Sequence, residues 1–281
     1  MDVGIGLPNA IPGTSGARLV EWARRAEARG FSSLGTVDRI VYENYEPLTA
    51  LAAAAAVTER IGLCTSVLIV PLRTNPVELA KQALSVHALS GGRLTLGVGL
   101  GGREDDYQVS GVEMRGRGRR LDRALAEVRE IWSEGAVGPS LEGVPRLIVG
   151  GHADASFARA ARFGDGWIAG ASGPDQFAEG AEKARSAWKE AGREGEPHTM
   201  GLAYFSLGER AEENANENLG HYYAWLGEEI AAMIAAGAAK GTEPIRQTIA
   251  AYEDAGCDEL IFCPSSNDPE QVDLLTEAAG I

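Results

Sequence analysis

Eight short apolar runs, each followed by a helical pattern, constrain this chain more than any other feature. They read VGIGL, SSLGTV, IGLCTSVLIV, RLTLGV, RLIVG, GWIAG, TMGLAYFSL and ELIFC. Strands that alternate with helices pair in parallel, because each helix carries the chain back across the sheet. Eight is the number that closes a (β/α)8 barrel. The helical patterns are one-sided, as outer helices must be. Leu19, Trp22, Ala23 and Ala26 share one face, and Leu121, Leu125, Val128 and Trp132 share another. Three joints repeat one grammar: AEARGFSSLGTVDR, AARFGDGWIAGAS and YEDAGCDELIFCPS. In each, a helix is expected to end on a left-handed glycine (Gly30, Gly164 or Gly256), and a strand starts within a few residues. No linker or low-complexity stretch interrupts the 281 residues. The expected fold is one α/β domain, a TIM barrel over 1–281 with a parallel eight-stranded sheet.

Charge and cysteine usage narrow the partners. Forty acidic residues against 26 basic ones leave a net charge of −14. Such a chain repels nucleic acid and anionic membrane surfaces. Cys64, Cys257 and Cys263 form an odd set without a C-x-x-C pair, which suits small apolar fillers in a reducing cytoplasm. The start, MDVGIGLP, lacks the basic segment of a signal peptide, and the longest apolar run, LTALAAAAAV, is too short to span a bilayer. A cytoplasmic protein acting on small molecules is expected.

The stretch GGRLTLGVGLGGREDD carries Gly97, Gly99 and Gly102 in the G-x-G-x-x-G spacing of dinucleotide-binding folds. That fingerprint belongs in the first strand–helix turn, with its helix coming at once. Here three strand–helix units precede it, and the next segment, REDDYQVSGVEMRGRGRR, reads as a polar loop. Asp122, the nearest acidic candidate for a ribose, falls inside a helical pattern. The glycines are therefore expected to end the fourth strand on the face where barrel active sites lie, letting a flat ligand approach the backbone.

The residue inventory excludes several chemistries. Lys81, Lys183, Lys189 and Lys240 fall in helices or at helix ends, which leaves no strand lysine for a Schiff base. Of the histidines, only His152 follows a strand; His87 and His221 lie in helical patterns and His198 precedes a strand. No H-x-H or H-E-x-x-H supplies metal ligands, so no metal is expected, and no G-x-S-x-G elbow supplies a nucleophile. A barrel so equipped borrows its chemistry from a cofactor.

The stretch IGLCTSVLIVPLRTNPVELAKQALSVHALSGGRLTLGVGLGG closely resembles the bacterial luciferase-like superfamily of flavin-dependent oxidoreductases. RGRGRRLDRALAEVREIW looks like that family's fourth helix. PRLIVGGHADASFARAARFGDGWIAG is similar to its fifth and sixth strands, and GTEPIRQTIAAYEDAGCDELIFCP to its last helix and strand. The resemblance implies a barrel holding FMN or the deazaflavin F420, commonly as a homodimer. It implies an enzyme that oxygenates a small organic substrate, as a monooxygenase acting on paired donors, or that passes a hydride. The sequence does not choose between the cofactors. Two other readings stay open: a non-catalytic flavin-binding barrel, and an unrelated phosphate-binding barrel isomerase.

Carried residue by residue, the resemblance places a non-proline cis peptide at Ser66–Val67, where the apolar TSVLIV run floors a ring, with Gly97 and Gly99 near its edge. Gly150 and Gly151 end the fifth strand before a helix, where free N–H groups suit a cofactor phosphate. His152 is a candidate donor there, and Asp154 reads as the helix N-cap. Asp38 and Arg39 end the second strand. The family often has a histidine at the second position. Arginine is a poor base, so Arg39 would act on a flavin oxyanion or an acidic substrate, or simply pair with Asp38. Arg103, Glu104, Asp105 and Tyr107 would overhang the ring, Tyr107 touching substrate or packing the loop. HYYAWLGEEIAAMIAAGAA is too long for one outer helix; its aromatic end reads as a lid or a dimer face. AEENANEN before it reads as a solvated segment.

Overall fold

A computed structural model describes residues 1–139 and 142–281. The strands are β1 (Asp2–Gly6), β2 (Ser33–Thr36), β3 (Gly62–Thr65), β4 (Leu68–Ile69), β5 (Leu94–Gly99), β6 (Arg146–Gly150), β7 (Gly166–Ile168), β8 (His198–Phe205) and β9 (Glu259–Pro264). The helices are α1 (Gly16–Arg29), α2 (Pro47–Ala55), α3 (Pro76–Leu89), α4 (Glu104–Val109), α5 (Arg117–Glu134), α6 (Asp154–Phe163), α7 (Pro174–Glu190), α8 (Ala211–Tyr223), α9 (Glu228–Ala236), α10 (Thr242–Asp254) and α11 (Glu270–Ala279). All strand pairings are parallel. β1 pairs with both β2 and β9, and β3 pairs with both β2 and β5, so the sheet closes. β3 and β4 are two halves of one stave, interrupted at Ser66–Val67, whose peptide is cis. Counted this way the barrel has eight staves, and the G-x-G-x-x-G run opens no Rossmann crevice.

The interior is divided by side-chain size. Glycines at positions 4 and 35 leave one side open, and Ile261 from β9 fills the space; its side chain comes within 2.9 Å of where a Cβ at Gly35 would lie. Cys64, Ile148, Ile168, Met200, Leu202 and Cys263 complete this inner cluster. Outward-facing Leu34, Leu96, Leu147, Trp167 and Phe262 join a larger core under the helices. Alternate residues along each strand thus serve the two layers. All three cysteines are buried and free, as apolar fillers are.

Three local expectations need correction. Gly30 and Gly256 are left-handed, at φ +87° and +74°, but Gly164 has φ −93° and ψ 175°. Gly164 is glycine because the Ala160, Gly166 and Leu147 carbonyls crowd its α-carbon. The loop after β5 contains a helix, α4, built on three acidic residues that favour a helix N-terminus. AEENANEN is solvated, as expected, and forms the start of α8, with most of its polar residues facing outward and Ala215 packing inward. Asp154 is the first residue of α6; Ala153 is the N-cap. Among the described residues, no helix is long and apolar enough to cross a membrane.

Candidate active site

A cavity of about 330 Å³ opens at the C-terminal ends of the strands. Ser66, Val67 and Ile69 form one wall, and Val37, Asp38 and Arg39 at the end of β2 form the next. Leu202, Tyr204, Cys263, Tyr222, Tyr223 and Trp225 also line it. The aromatic end of the long helical stretch is therefore part of the cavity wall. Tyr222 packs edge-on against both Tyr42 and Tyr223, and the Tyr204 and Tyr223 hydroxyls share a 2.6 Å hydrogen bond. Burial pushes the Tyr204 phenol well above its ordinary pKa and the Cys263 thiol up to about 12, so both stay protonated at neutral pH.

The wall at Ser66–Val67 exists because three glycines lack side chains. A Cβ on Gly97 would run into the Thr65 carbonyl oxygen. A Cβ on Gly99 would lie 2.5 Å from Val67 Cγ2, and one on Gly150 would lie 3.1 Å from Val67 Cγ1. These glycines seat the protein's own β3–β4 bulge. Ser66 Oγ donates to the Thr36 carbonyl at 3.1 Å, tying the bulge to β2.

Asp38 and Arg39 are both buried, at 4% and 6% exposure, and they do not pair with each other. Asp38 Oδ2 accepts from the Ile69 N–H and from Arg73 Nη1, each at 2.7 Å. Among the described residues, its Oδ1 is buried without a partner. Burial raises the Asp38 pKa, with Arg73 pulling the other way. Arg39 donates from Nε to Asp106 Oδ2 at 2.6 Å and from Nη2 to Oδ1 at 3.3 Å. Asp106 Oδ1 also accepts the Ile40 and Val41 N–H groups at 2.9 and 2.7 Å. One buried carboxylate thus clamps the segment after β2 to α4. Among the described residues, Arg39 Nη1 is left without a partner, and its guanidinium lies 5.5 and 5.7 Å from the Tyr42 and Tyr222 ring centres.

Tyr107 is 1% exposed, does not line the cavity and donates its hydroxyl to the Leu100 carbonyl. It fastens α4 to the end of β5. Gly150, Gly151 and His152 also lie outside the cavity lining. Gly151 has φ +133°, and Ser156 Oγ occupies the space a Cβ would need. His152 packs edge-on to Trp167 at 6.4 Å, its Nε2 3.4 Å from the Cβ position of Gly170, which does line the cavity. Sequence reasoning missed Asp106 and Arg73, the partners that hold Arg39 and Asp38. The acidic run Glu104–Asp106 was the only local sign of the first, and Arg73 carried none.

Comparison with known proteins agrees with this architecture. The profile of the family described as luciferase-like monooxygenase matches residues 1–261. An uncharacterized protein of Mycobacterium tuberculosis is 33% identical over 66% of this chain and 77% of its own length. An F420-dependent glucose-6-phosphate dehydrogenase of Kribbella flavida is 32% identical over 62% of each chain. Among solved structures, an F420-dependent secondary alcohol dehydrogenase superposes with a TM-score of 0.82 at 18% identity, covering 99% of this chain and 98% of its own. The FMN-bound oxygenating constituent of 3,6-diketocamphane monooxygenase from Pseudomonas putida superposes with a TM-score of 0.74 at 17% identity, covering 99% and 96%.

Proposed function

Since the chain belongs to the luciferase-like monooxygenase family, we propose that it is an oxidoreductase whose 330 Å³ cavity holds the ring of FMN or F420. The observation that carries this reading is the glycine-seated bulge at Ser66–Val67, which presents an apolar surface beside two buried polar atoms without partners, Asp38 Oδ1 and Arg39 Nη1. A tricyclic ring with a dione edge suits that combination. Burial leaves such atoms costly until a ligand supplies the missing hydrogen bonds. When bound, F420 supplies a hydride carrier, and reduced FMN supplies either a hydride or the activation of dioxygen.

The chain's own residues position and exclude. Arg39, fixed by Asp106, holds electron-rich oxygen electrostatically and does not act as a base. Asp38 orients the bulge through the Ile69 N–H. Tyr222, Tyr223 and Trp225 shield the mouth from water, and Leu202, Tyr204 and Cys263 favour a substrate with an apolar body. The cofactor phosphate is assigned to the Gly150–Gly151–His152 turn. It lies at the start of α6, whose N-cap, Ala153, provides no side-chain hydrogen bond.

The test is a parallel fluorescence titration of the protein with FMN and F420. One of the two is expected to bind saturably, and Val67→Asp to abolish that binding, because a carboxylate on this wall would be desolvated against the ring. Binding of neither cofactor, or full affinity in a folded Val67→Asp variant, would count against the proposal. If FMN is the one that binds, Gly151→Asp should weaken FMN about ten-fold more than riboflavin, through charge repulsion at the phosphate. Equal losses would mean that the turn only shapes the barrel.

A further inference from the structure

A second cavity, separate from the one that opens at the strand ends, is lined by three arginines. It is a groove of about 160 Å³ between the segment after β4 and the first turns of α5. Arg73, Arg120 and Arg123 line it together with Thr74, against apolar backing from Val70 and Pro71, and no carboxylate lines it. In a chain with 40 acidic and 26 basic residues, three guanidinium groups around one carboxylate-free space are a local reversal of sign. They belong to a wider concentration: residues 115–123 contain five arginines.

Of the three arginines that line the groove, Arg73 and Arg123 are paired with carboxylates, and Arg120 is held by uncharged groups alone. Arg120 donates from Nη1 to the Arg115 carbonyl at 3.1 Å and from Nη2 to the Glu113 carbonyl, neither of which carries charge. Its Nε is buried without a partner among the described residues. Among the described residues, Arg115, Arg117, Arg119 and Arg120 form no ion pair, while Arg123 meets only Glu127 on its own helix, at 2.7 Å. The first turn of α5 has no acidic residue, and its N-cap is Gly116. Cations at a helix N-terminus oppose the helix dipole and cost stability unless an anion is present. The groove also adjoins the central cavity: Ile69 lines the cavity, and the next residue, Val70, lines the groove.

We propose that this groove is a binding site for a multiply charged oxyanion, a phosphate or a cluster of carboxylates. The guanidinium groups of Arg120 and Arg123 would make charge-assisted hydrogen bonds to it, with Thr74 as a neutral donor. Arg73 would share its charge between this anion and its present partners, Asp38 and Glu46. The site stands on its own geometry and does not require that the central cavity bind a flavin. Its position leaves two sources for the anion, a separate phosphate-bearing ligand or the oligocarboxylate tail of a deazaflavin seated next door.

Calorimetric titration of the full chain with inorganic phosphate and with tripolyphosphate, at ionic strength held constant with chloride, tests the site. Saturable binding is expected, tighter for tripolyphosphate, and weakened about ten-fold in Arg123→Glu, whose side chain is largely exposed. Arg120→Gln should show the same loss. No saturable binding at constant ionic strength, or wild-type affinity in both variants, would overturn the proposal. A second arm compares F420 with its tail-less chromophore. A loss in Arg123→Glu for F420 alone supports the site and assigns it to the cofactor tail. A loss for phosphate with F420 unchanged supports the site and assigns it to a separate ligand. Failure of both chromophores to bind, with phosphate still bound, would remove the cofactor reading and leave the groove standing.

Discussion

Asp106→Ala is expected to destabilise the protein by about 3–5 kcal/mol, the usual cost of removing one partner of a buried ion pair. Asp106 is 1% exposed, and its two oxygens accept from Arg39 and from the N–H groups of Ile40 and Val41. Truncation strands a guanidinium that is itself 6% exposed and leaves two backbone donors without partners. Thermal unfolding reads the effect, as a fall in Tm of roughly 10 °C for a chain of this size. The double variant Arg39→Ala/Asp106→Ala removes the orphaned charge as well. It should be less destabilised than the sum of the two single changes, because the two residues are directly coupled. Strict additivity would mean that the pair is not a coupled unit.

Gly97→Ala should have the second large effect, although it adds a single methyl group. That methyl would overlap the Thr65 carbonyl oxygen, which is backbone and cannot rotate away. Either β5 or the β3–β4 stave must move, and both are tied into the closed sheet through β3–β5 pairing at Leu63 and Leu94. Overpacking a well-filled interior costs about 1–3 kcal/mol, and more where the obstacle is backbone. The displaced stave carries Ser66 and Val67, so cofactor affinity should fall with stability. A control distinguishes this from a general intolerance of alanine. Gly91→Ala adds its methyl where nothing lies within 4 Å and incurs only the strain of φ +68°. Retained stability and binding in Gly97→Ala would show that the bulge does not depend on glycine there.

The barrel was legible because its signal is periodic and repeated. Eight apolar runs separated by amphipathic helices leave few ways to bury both faces of a parallel sheet. Single deviations, such as the extended Gly164 or the short helix α4, do not disturb that count. Tyr107 shows where the sequence left two roles open, substrate contact or packing the loop, and the structure shows the second. As a polar aromatic in a loop over the site it was a candidate for substrate contact, and only the turn of α4 sends its hydroxyl to Leu100. Local sequence does not encode the direction of a side chain in a helix of six residues.

What the sequence by itself determined is the closed parallel barrel and the face on which the cavity lies, which rest on pattern along the chain; the bulge at Ser66–Val67 was only implied by the family resemblance, and the structure shows it. What only the tertiary structure decided is which charges meet. Arg39 sits beside Asp38 in sequence, yet it pairs with Asp106, 67 residues away, while Asp38 pairs with Arg73. Neighbouring side chains near a strand end diverge to opposite sides, so adjacency along the chain separates them in space. Closure of the barrel then brings distant loops together at one rim, and desolvation there makes each buried charge seek whatever partner that rim supplies.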